Sequence, residues 1–97
     1  MIIVHDIFVC KPGNASKLAK LFKEVMSGQE ELVNIMTDMT GQFNRVIMVS
    51  KYENLTAYEQ SWEKMKKDPA AMKKMTEKMS GYQEMYLTGS REIYQVW

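Results

Sequence analysis

The sequence predicts an α+β fold with a split βαβ, or ferredoxin-like, arrangement: an antiparallel sheet that carries its helices on one face. Stretches of β-branched and apolar residues alternate with amphipathic stretches in the order βα-ββ-αα-β. The chain has 97 residues, which is the length of one domain, so residues 1–97 are predicted to form a single domain. Segregation of strands and helices at this length is typical of α+β proteins.

The first strand is predicted over residues 2–10 and the first helix directly after it. Lys11-Pro12-Gly13 has the composition of a turn, and Asn14 is a suitable N-cap for a following helix. Apolar residues then recur at helical spacing until Ser27-Gly28, where the helix is expected to end. These apolar residues are Leu18, Leu21, Phe22 and Val25.

Three further strands are predicted over residues 31–39, 43–51 and 84–96. Thr40-Gly41 marks the turn between the first two of these. Gly89 interrupts the last one, and because glycine inside a strand often accompanies a β-bulge, a kink is expected there.

The second and third helices have clear start signals. Asn54 is an N-cap candidate, and Asp68-Pro69 combines a capping carboxylate with a proline suited to the first helical position. Gly81 is expected to end the third helix. The apolar stripes that follow the two caps are Leu55, Tyr58, Trp62 and Met65 in the second helix, and Met72, Met75 and Met79 in the third.

Both faces of the predicted sheet are apolar, and this favours a homodimer. In the third predicted strand, Phe43, Ile47 and Val49 fall on one face while Val46 and Met48 fall on the other. The helices of this topology cover one face only, so a second copy of the sheet is expected to cover the other. Polar residues on the partner-facing side would line the space between the two sheets, and this space is expected to be the natural ligand cavity.

Composition limits the other partners. Thirteen basic and 12 acidic residues give a net charge of +1, so no electrostatic footprint for nucleic acid or an anionic membrane is present. The apolar segment 1–10 is too short to span a membrane and lacks a basic flank, and a cytoplasmic location is expected. Cys10 is the single cysteine, so neither a disulfide within the chain nor a multi-cysteine metal site can form, and no cofactor is predicted.

Three segments together resemble the NIPSNAP-like branch of the dimeric α/β-barrel superfamily. They are Lys11-Pro12-Gly13 after the first strand, the stretch GQFNRVIMVSKYENL over residues 41–55, and Asp68-Pro69. The resemblance covers nearly the whole chain in element order and implies a dimer that packs sheet to sheet. Members of the superfamily include cofactor-independent oxygenases, haem-degrading oxygenases, isomerases and polyketide cyclases, and fold alone does not choose among them.

The haem-degrading pattern is incomplete in this sequence. The resemblance would place an asparagine on the first strand, a tryptophan on the second helix and an iron-ligating histidine on the third helical segment. Trp62 matches the tryptophan, but neither the asparagine nor the histidine is present.

His5, Asn44 and Arg45 are the candidate catalytic residues. His5 is the single histidine and could act as a general base, or it could be a half-buried residue bonded to a neighbour. Asn44 could orient a carbonyl or dioxygen, or could start the third strand as a turn residue. Arg45 could clamp a carboxylate, or could form a surface salt bridge.

Tyr58, Trp62 and Met48 are the candidate ligand-binding residues. The two aromatic side chains could stack on a flat ligand, or could pack in the core as an amphipathic helix does. Methionines could form an adaptable apolar pocket, with core packing as the alternative. This methionine set is Met36, Met39, Met48, Met72, Met75 and Met79.

Two functional classes follow from these residues. One is a dimeric protein that binds a small apolar or aromatic molecule, with cofactor-independent oxygenase or isomerase chemistry as its enzymatic form. The other is a non-catalytic, stress-related binding module that acts as a homodimer. No motif in the sequence separates the two.

Overall fold

The computed structural model describes residues 1–97 and has the predicted α+β architecture. The strands are β1 (Ile2–Cys10), β2 (Leu32–Thr37), β3 (Arg45–Tyr52) and β4 (Tyr86–Gln95), and the helices are α1 (Ala15–Val25), α2 (Leu55–Lys66) and α3 (Pro69–Lys78). A short 3-10 helix, Tyr82–Glu84, precedes β4. The order of elements along the chain is the predicted one, and no helix is both long and apolar enough to cross a membrane.

The four strands form one sheet in the order β2-β3-β1-β4. All three pairings are antiparallel, as the ferredoxin-like arrangement requires. The central strand β1 therefore contacts β4, which lies at the other end of the chain. In the register, Asp6 lies opposite Met48 on β3 and opposite Arg91 on β4.

The predicted helix starts are confirmed, with one difference in how they are capped. The side chain of Asn54 accepts a hydrogen bond from the backbone N–H of Ala57 at 2.8 Å, and that of Asp68 accepts one from Ala71 at 3.1 Å. Asn14 precedes α1 as expected, but its side chain makes no capping hydrogen bond. Capping carboxylate and amide oxygens satisfy backbone donors that the first turn leaves free.

The predicted kink at Gly89 is wrong. Gly89 stays in register opposite Phe8, and the irregularity of the β1–β4 pairing lies between the pairs Val9–Thr88 and Cys10–Tyr86. This shift in register leaves one extra residue in β4, close to its beginning, where the chain leaves the 3-10 helix. The site of the absent Cβ of Gly89 lies 3.7 Å from the Phe8 ring, which is an ordinary van der Waals contact, so the surroundings of position 89 do not require a glycine.

The sheet separates the side chains of β1 into two sets. Ile2, Val4, Asp6 and Cys10 face the helices and are buried, and Phe8 faces the same side but is half-buried. The residues Ile3, His5, Ile7 and Val9 are half-buried on the opposite face. We call that opposite face the outer sheet face. Its members from the three strands β1, β3 and β4 include Ile3, His5, Ile7, Val9, Ile47, Val49, Glu92 and Tyr94.

One cluster of buried hydrophobic side chains lies under α1, and Ile2 and Val4 are buried elsewhere on the helix-facing side of β1. Leu18 and Phe22 of α1 pack with Cys10 and Val46 of the sheet, and these four side chains are at most 4% exposed. In contrast, α2 and α3 contain no buried residue. These two helices therefore cover the sheet less closely than α1 does, and a space remains beneath them.

Candidate functional site

The space between the sheet and helices α2 and α3 is a cavity of about 890 Å³. Fourteen of its 26 lining residues are hydrophobic. Its floor includes Asp6 and Phe8 of β1 and Met48 of β3, and α2 and α3 supply the wall opposite. Ligand cavities are typically about 300–1,000 Å³, mostly apolar, with a few polar groups, and this one has those properties.

One row of side chains across the sheet sets the chemistry of the floor. Met48 on β3, Asp6 on β1 and Arg91 on β4 are successive partners in the register, so they point to the same side. Asp6 and Arg91 carry opposite charges, and Nε of Arg91 donates a hydrogen bond to Oδ1 of Asp6 at 2.5 Å. This is the single charged pair between side chains in the structure.

The two members of the pair differ in their access to solvent. The Asp6 side chain is 12% exposed, whereas that of Arg91 is 47% exposed. The hydrogen bond that Arg91 donates to Asp6 raises the pKa of Arg91 above its usual value, although partial burial opposes the change. Arg91 therefore remains a cation and presents the exposed end of the pair to the cavity.

Aromatic rings from α2 stand over this cation. The Arg91 Cζ lies 5.9 Å from the ring centroid of Tyr58 and 5.5 Å from that of Trp62, within the range of a cation–π interaction. The Tyr58 ring also meets Trp62 edge to face at 6.3 Å and Tyr52 at 5.0 Å. Helical spacing of four residues puts Tyr58 and Trp62 on one side of α2, above the floor.

One polar atom of the site has no protein partner. The Tyr58 hydroxyl is buried and makes no hydrogen bond. A buried hydroxyl without a partner loses its interaction with water and gains nothing in return, so such groups are rare in native proteins. A ligand or water in the cavity would satisfy it.

The three residues predicted to bind a ligand, Met48, Tyr58 and Trp62, all line the cavity. Of the predicted methionine pocket, Met75 and Met79 also line it. The remaining predicted members, Met36, Met39 and Met72, lie elsewhere and are exposed. Met26 and Met65 complete the set of lining methionines. The sequence placed Met65 in the apolar stripe of the second helix, but neither residue was predicted to belong to the methionine pocket.

The three predicted catalytic residues lie outside the cavity. His5 is on the outer sheet face, where its ring meets that of Tyr94 at 5.2 Å. Arg45 pairs with Val9, four residues along β1 from His5, which is about 13 Å. The structure of one chain therefore does not bring His5 and Arg45 together, nor either of them to Tyr58 and Trp62.

Asn44 and Arg45 have local structural contacts. Asn44 has a φ of 63°, and its carbonyl oxygen accepts a hydrogen bond from the backbone N–H of Cys10 at 2.7 Å. The backbone N–H of Arg45 donates to Oδ1 of Asp38 at 2.6 Å. Asparagine tolerates the left-handed region better than most residues, so these contacts are typical of a turn that begins a strand.

Sequence reasoning missed Arg91, which holds the exposed charge of the site. A signal for it was present: Asp6 and Arg91 are opposite charges in the middle of two strands. Only the register of β1 against β4 places them side by side, because they are separated by most of the chain.

The fold and this site define a small α+β protein of the ferredoxin-like class with a cavity between its sheet and its helices. The NIPSNAP family model matches residues 6–88, and the chain belongs to the NIPSNAP family. Among curated proteins, no sequence matches the chain closely enough to count as a relative.

Solved structures agree with this family. An uncharacterised NIPSNAP domain protein from Burkholderia xenovorans superposes with a TM-score of 0.80 at 13% identity, covering 100% of this chain and 95% of that one. A NIPSNAP family protein from Agrobacterium tumefaciens gives 0.80 at 15% identity, covering 99% and 85%. A candidate antibiotic biosynthesis monooxygenase from Deinococcus radiodurans gives 0.63 at 14% identity, covering 100% and 93%. At these identities the likeness shows a shared fold.

Proposed function

We propose that the chain binds a small apolar or aromatic molecule in the cavity between the sheet and helices α2 and α3. The observation that carries the proposal is that α2 and α3 bury none of their residues, while their apolar side chains line a cavity of about 890 Å³. An amphipathic helix normally stabilises a fold by burying its apolar side. These two helices hold that side open.

The composition of the lining supports an aromatic or otherwise flat ligand. Tyr58 and Trp62 offer ring surfaces, and aromatic pairs gain about 0.5–1.5 kcal/mol beyond the burial of area. Five methionines line the cavity, and their flexible thioether chains adapt to ligands of different outline. The unpartnered Tyr58 hydroxyl supplies a polar group that can fix orientation.

Fluorescence of Trp62 tests the proposal directly. Trp97 is fully exposed at the end of the chain, so Trp97→Phe leaves Trp62 as the single tryptophan. Titration of this variant with 2-naphthamide, a neutral flat probe, should change Trp62 emission saturably. If neither Trp62 emission nor titration calorimetry shows saturable binding of 2-naphthamide, the proposal is contradicted.

A filled cavity gives the matched control. Ala71 lines the cavity and Ala70 beside it does not, and both lie on the first turn of α3. Ala71→Phe should weaken 2-naphthamide binding, whereas Ala70→Phe should leave it unchanged. Equal effects of the two substitutions would show that the probe binds outside the cavity.

We also propose that the chain forms a homodimer through the outer sheet face, which is the basis of the non-catalytic alternative. Ile3, Ile7, Val9 and Ile47 make this face apolar, although no helix covers it. Interfaces of standard size bury about 800 Å² per partner, which a four-stranded sheet face can supply. A role for His5 in catalysis would then belong to the interface between two copies.

A further inference from the structure

We infer that the ligand of the cavity is an aromatic carboxylic acid, held with its carboxylate on the Nη groups of Arg91 and its ring against Tyr58 and Trp62. This inference rests on the proposed function, because it names the chemical class of the ligand for the same cavity. It goes beyond apolar binding, since it assigns a charge to the ligand and a residue that recognises the charge.

The contact between Arg91 and Asp6 leaves the guanidinium partly unused. A guanidinium has five N–H donors, and its paired edges bind carboxylates in a bidentate manner. Only the Nε–H of Arg91 has a protein acceptor, which is Oδ1 of Asp6. Both Nη groups therefore retain donors, and the edge between them has the geometry that a carboxylate requires.

Asp6 fixes where those donors point. Its side chain is nearly covered, and β1 holds it beside Arg91 in the middle of the sheet. A hydrogen bond at Nε restricts the rotation of the guanidinium, and the rings of Tyr58 and Trp62 limit its position from above. The cation is thus oriented before a ligand arrives, which lowers the entropy cost of binding.

The exposure of the pair favours an anion over a cation as the ligand. A cationic ligand would need the Asp6 carboxylate, which is 12% exposed and already accepts a hydrogen bond, whereas Arg91 is 47% exposed. Three more charged residues line the cavity: Glu31, Lys64 and Asp68. Lys64 and Asp68 are exposed, and Asp68 is engaged as the cap of α3. Glu31 is half-buried, but it directly precedes β2, at the opposite edge of the sheet from Arg91 on β4.

The aromatic part of the ligand follows from the same geometry. The two rings of α2 flank the guanidinium, so a ring attached to the carboxylate would lie beside them. The Tyr58 hydroxyl, which is buried without a partner, can donate to the carboxylate as a further polar contact. A flat acid satisfies the cation, the hydroxyl and the apolar lining together.

Three naphthalene probes of equal size and different charge test the inference: 2-naphthoate, 2-naphthamide and 2-naphthylmethylammonium. With the Trp97→Phe protein, 2-naphthoate should bind about tenfold or more tightly than 2-naphthamide, because a hydrogen-bonded charge pair adds to the same ring contacts. Equal affinities, or tightest binding of the ammonium probe, would overturn the inference and leave the proposed function standing. If none of the probes binds, the proposed function itself fails.

Substitutions of the pair assign the effect to Arg91. The double variant Asp6→Asn/Arg91→Gln keeps the net neutrality of the pair while it removes both charges, and should abolish the preference for 2-naphthoate over 2-naphthamide. Arg91→Lys keeps the charge but removes the forked donors, and should retain only part of the preference. A preference that survives the double variant would overturn the role of Arg91, and the probe comparison in the parent protein decides the ligand class even if a variant does not fold.

Discussion

The pair of Asp6 and Arg91 should be energetically coupled, and a double-mutant cycle measures the coupling. Arg91→Gln leaves the nearly covered Asp6 carboxylate without its partner. Loss of one partner costs about 3–5 kcal/mol in a fully buried pair but only about 0–1 kcal/mol at an exposed one. Because Asp6 is 12% exposed and Arg91 47% exposed, we expect an intermediate loss of about 2 kcal/mol in the free energy of unfolding.

The opposite substitution should be milder. Asp6→Asn leaves a guanidinium that can reach water, so a loss of about 1 kcal/mol is expected. The double variant Asp6→Asn/Arg91→Gln should lose about 1.5 kcal/mol, which is less than the sum of the single variants and corresponds to a coupling of about 1.5 kcal/mol. A loss of 2 kcal/mol should lower the Tm by roughly 8–16 °C in a domain of this size.

Urea unfolding, followed by far-ultraviolet circular dichroism and by tryptophan fluorescence, provides the free energies. The urea dependence of the free energy should be alike in all four proteins, because the amount of surface exposed on unfolding does not change. Additive losses, or a loss below about 0.5 kcal/mol for Arg91→Gln, would refute the view that this pair organises the floor of the cavity.

Three further predictions concern other parts of the molecule. Ile47→Asp, on the outer sheet face, should shift the chain toward monomer in sedimentation analysis, whereas Ala70→Asp on α3 should not; equal behaviour of the two would contradict the proposed dimer face. Burial raises the pKa of the Cys10 thiol, so the unfolded thiol ionises at a lower pH than the folded one. The Tm of the native protein should therefore fall more between about pH 8 and about pH 10 than the Tm of Cys10→Ala. An equal fall in the two proteins would contradict a contribution of the buried thiol. Gly81→Ala should lower the free energy of unfolding by about 1 kcal/mol, because Gly81 has a φ of 82°. Gly89→Ala should leave it unchanged or raise it by up to about 1 kcal/mol, since the new Cβ would make ordinary contacts at 3.6–3.7 Å. Equal changes in the Tm of the two variants would contradict this difference.

Local signals in the sequence predicted the elements well because their causes are local. Asn54 and Asp68 cap helices with their own side chains, and Pro69 fits the first helical position, so short-range chemistry alone locates α2 and α3. The first strand was predicted with its observed ends for a similar reason, since Lys11-Pro12-Gly13 cannot continue it. The observed ends of β2 and β3 differ from the predicted ones by one to two residues at each end.

The site was only half predictable, because it depends on pairings that sequence periodicity does not contain. The stripe of Tyr58, Trp62 and Met65 has the same period whether α2 packs against a core or lines a cavity. The alternation of β1 separates His5 from Asp6, but which of them faces the helices is decided by how α1 docks. Arg91 joins the site only through the β1–β4 register.

Methionine methyl groups provide the most direct measurement of the central claim, that the cavity under α2 and α3 is the binding site. The chain has ten methionines, and the five that line the cavity are Met26, Met48, Met65, Met75 and Met79. In carbon–proton correlation spectra of methyl-labelled protein titrated with 2-naphthamide, we predict shifts at these five and none at Met1 and Met39, which are 61% and 97% exposed. Shifts at Met1 or Met39 with the cavity methionines unmoved, or no shifts at saturating probe, would contradict the account.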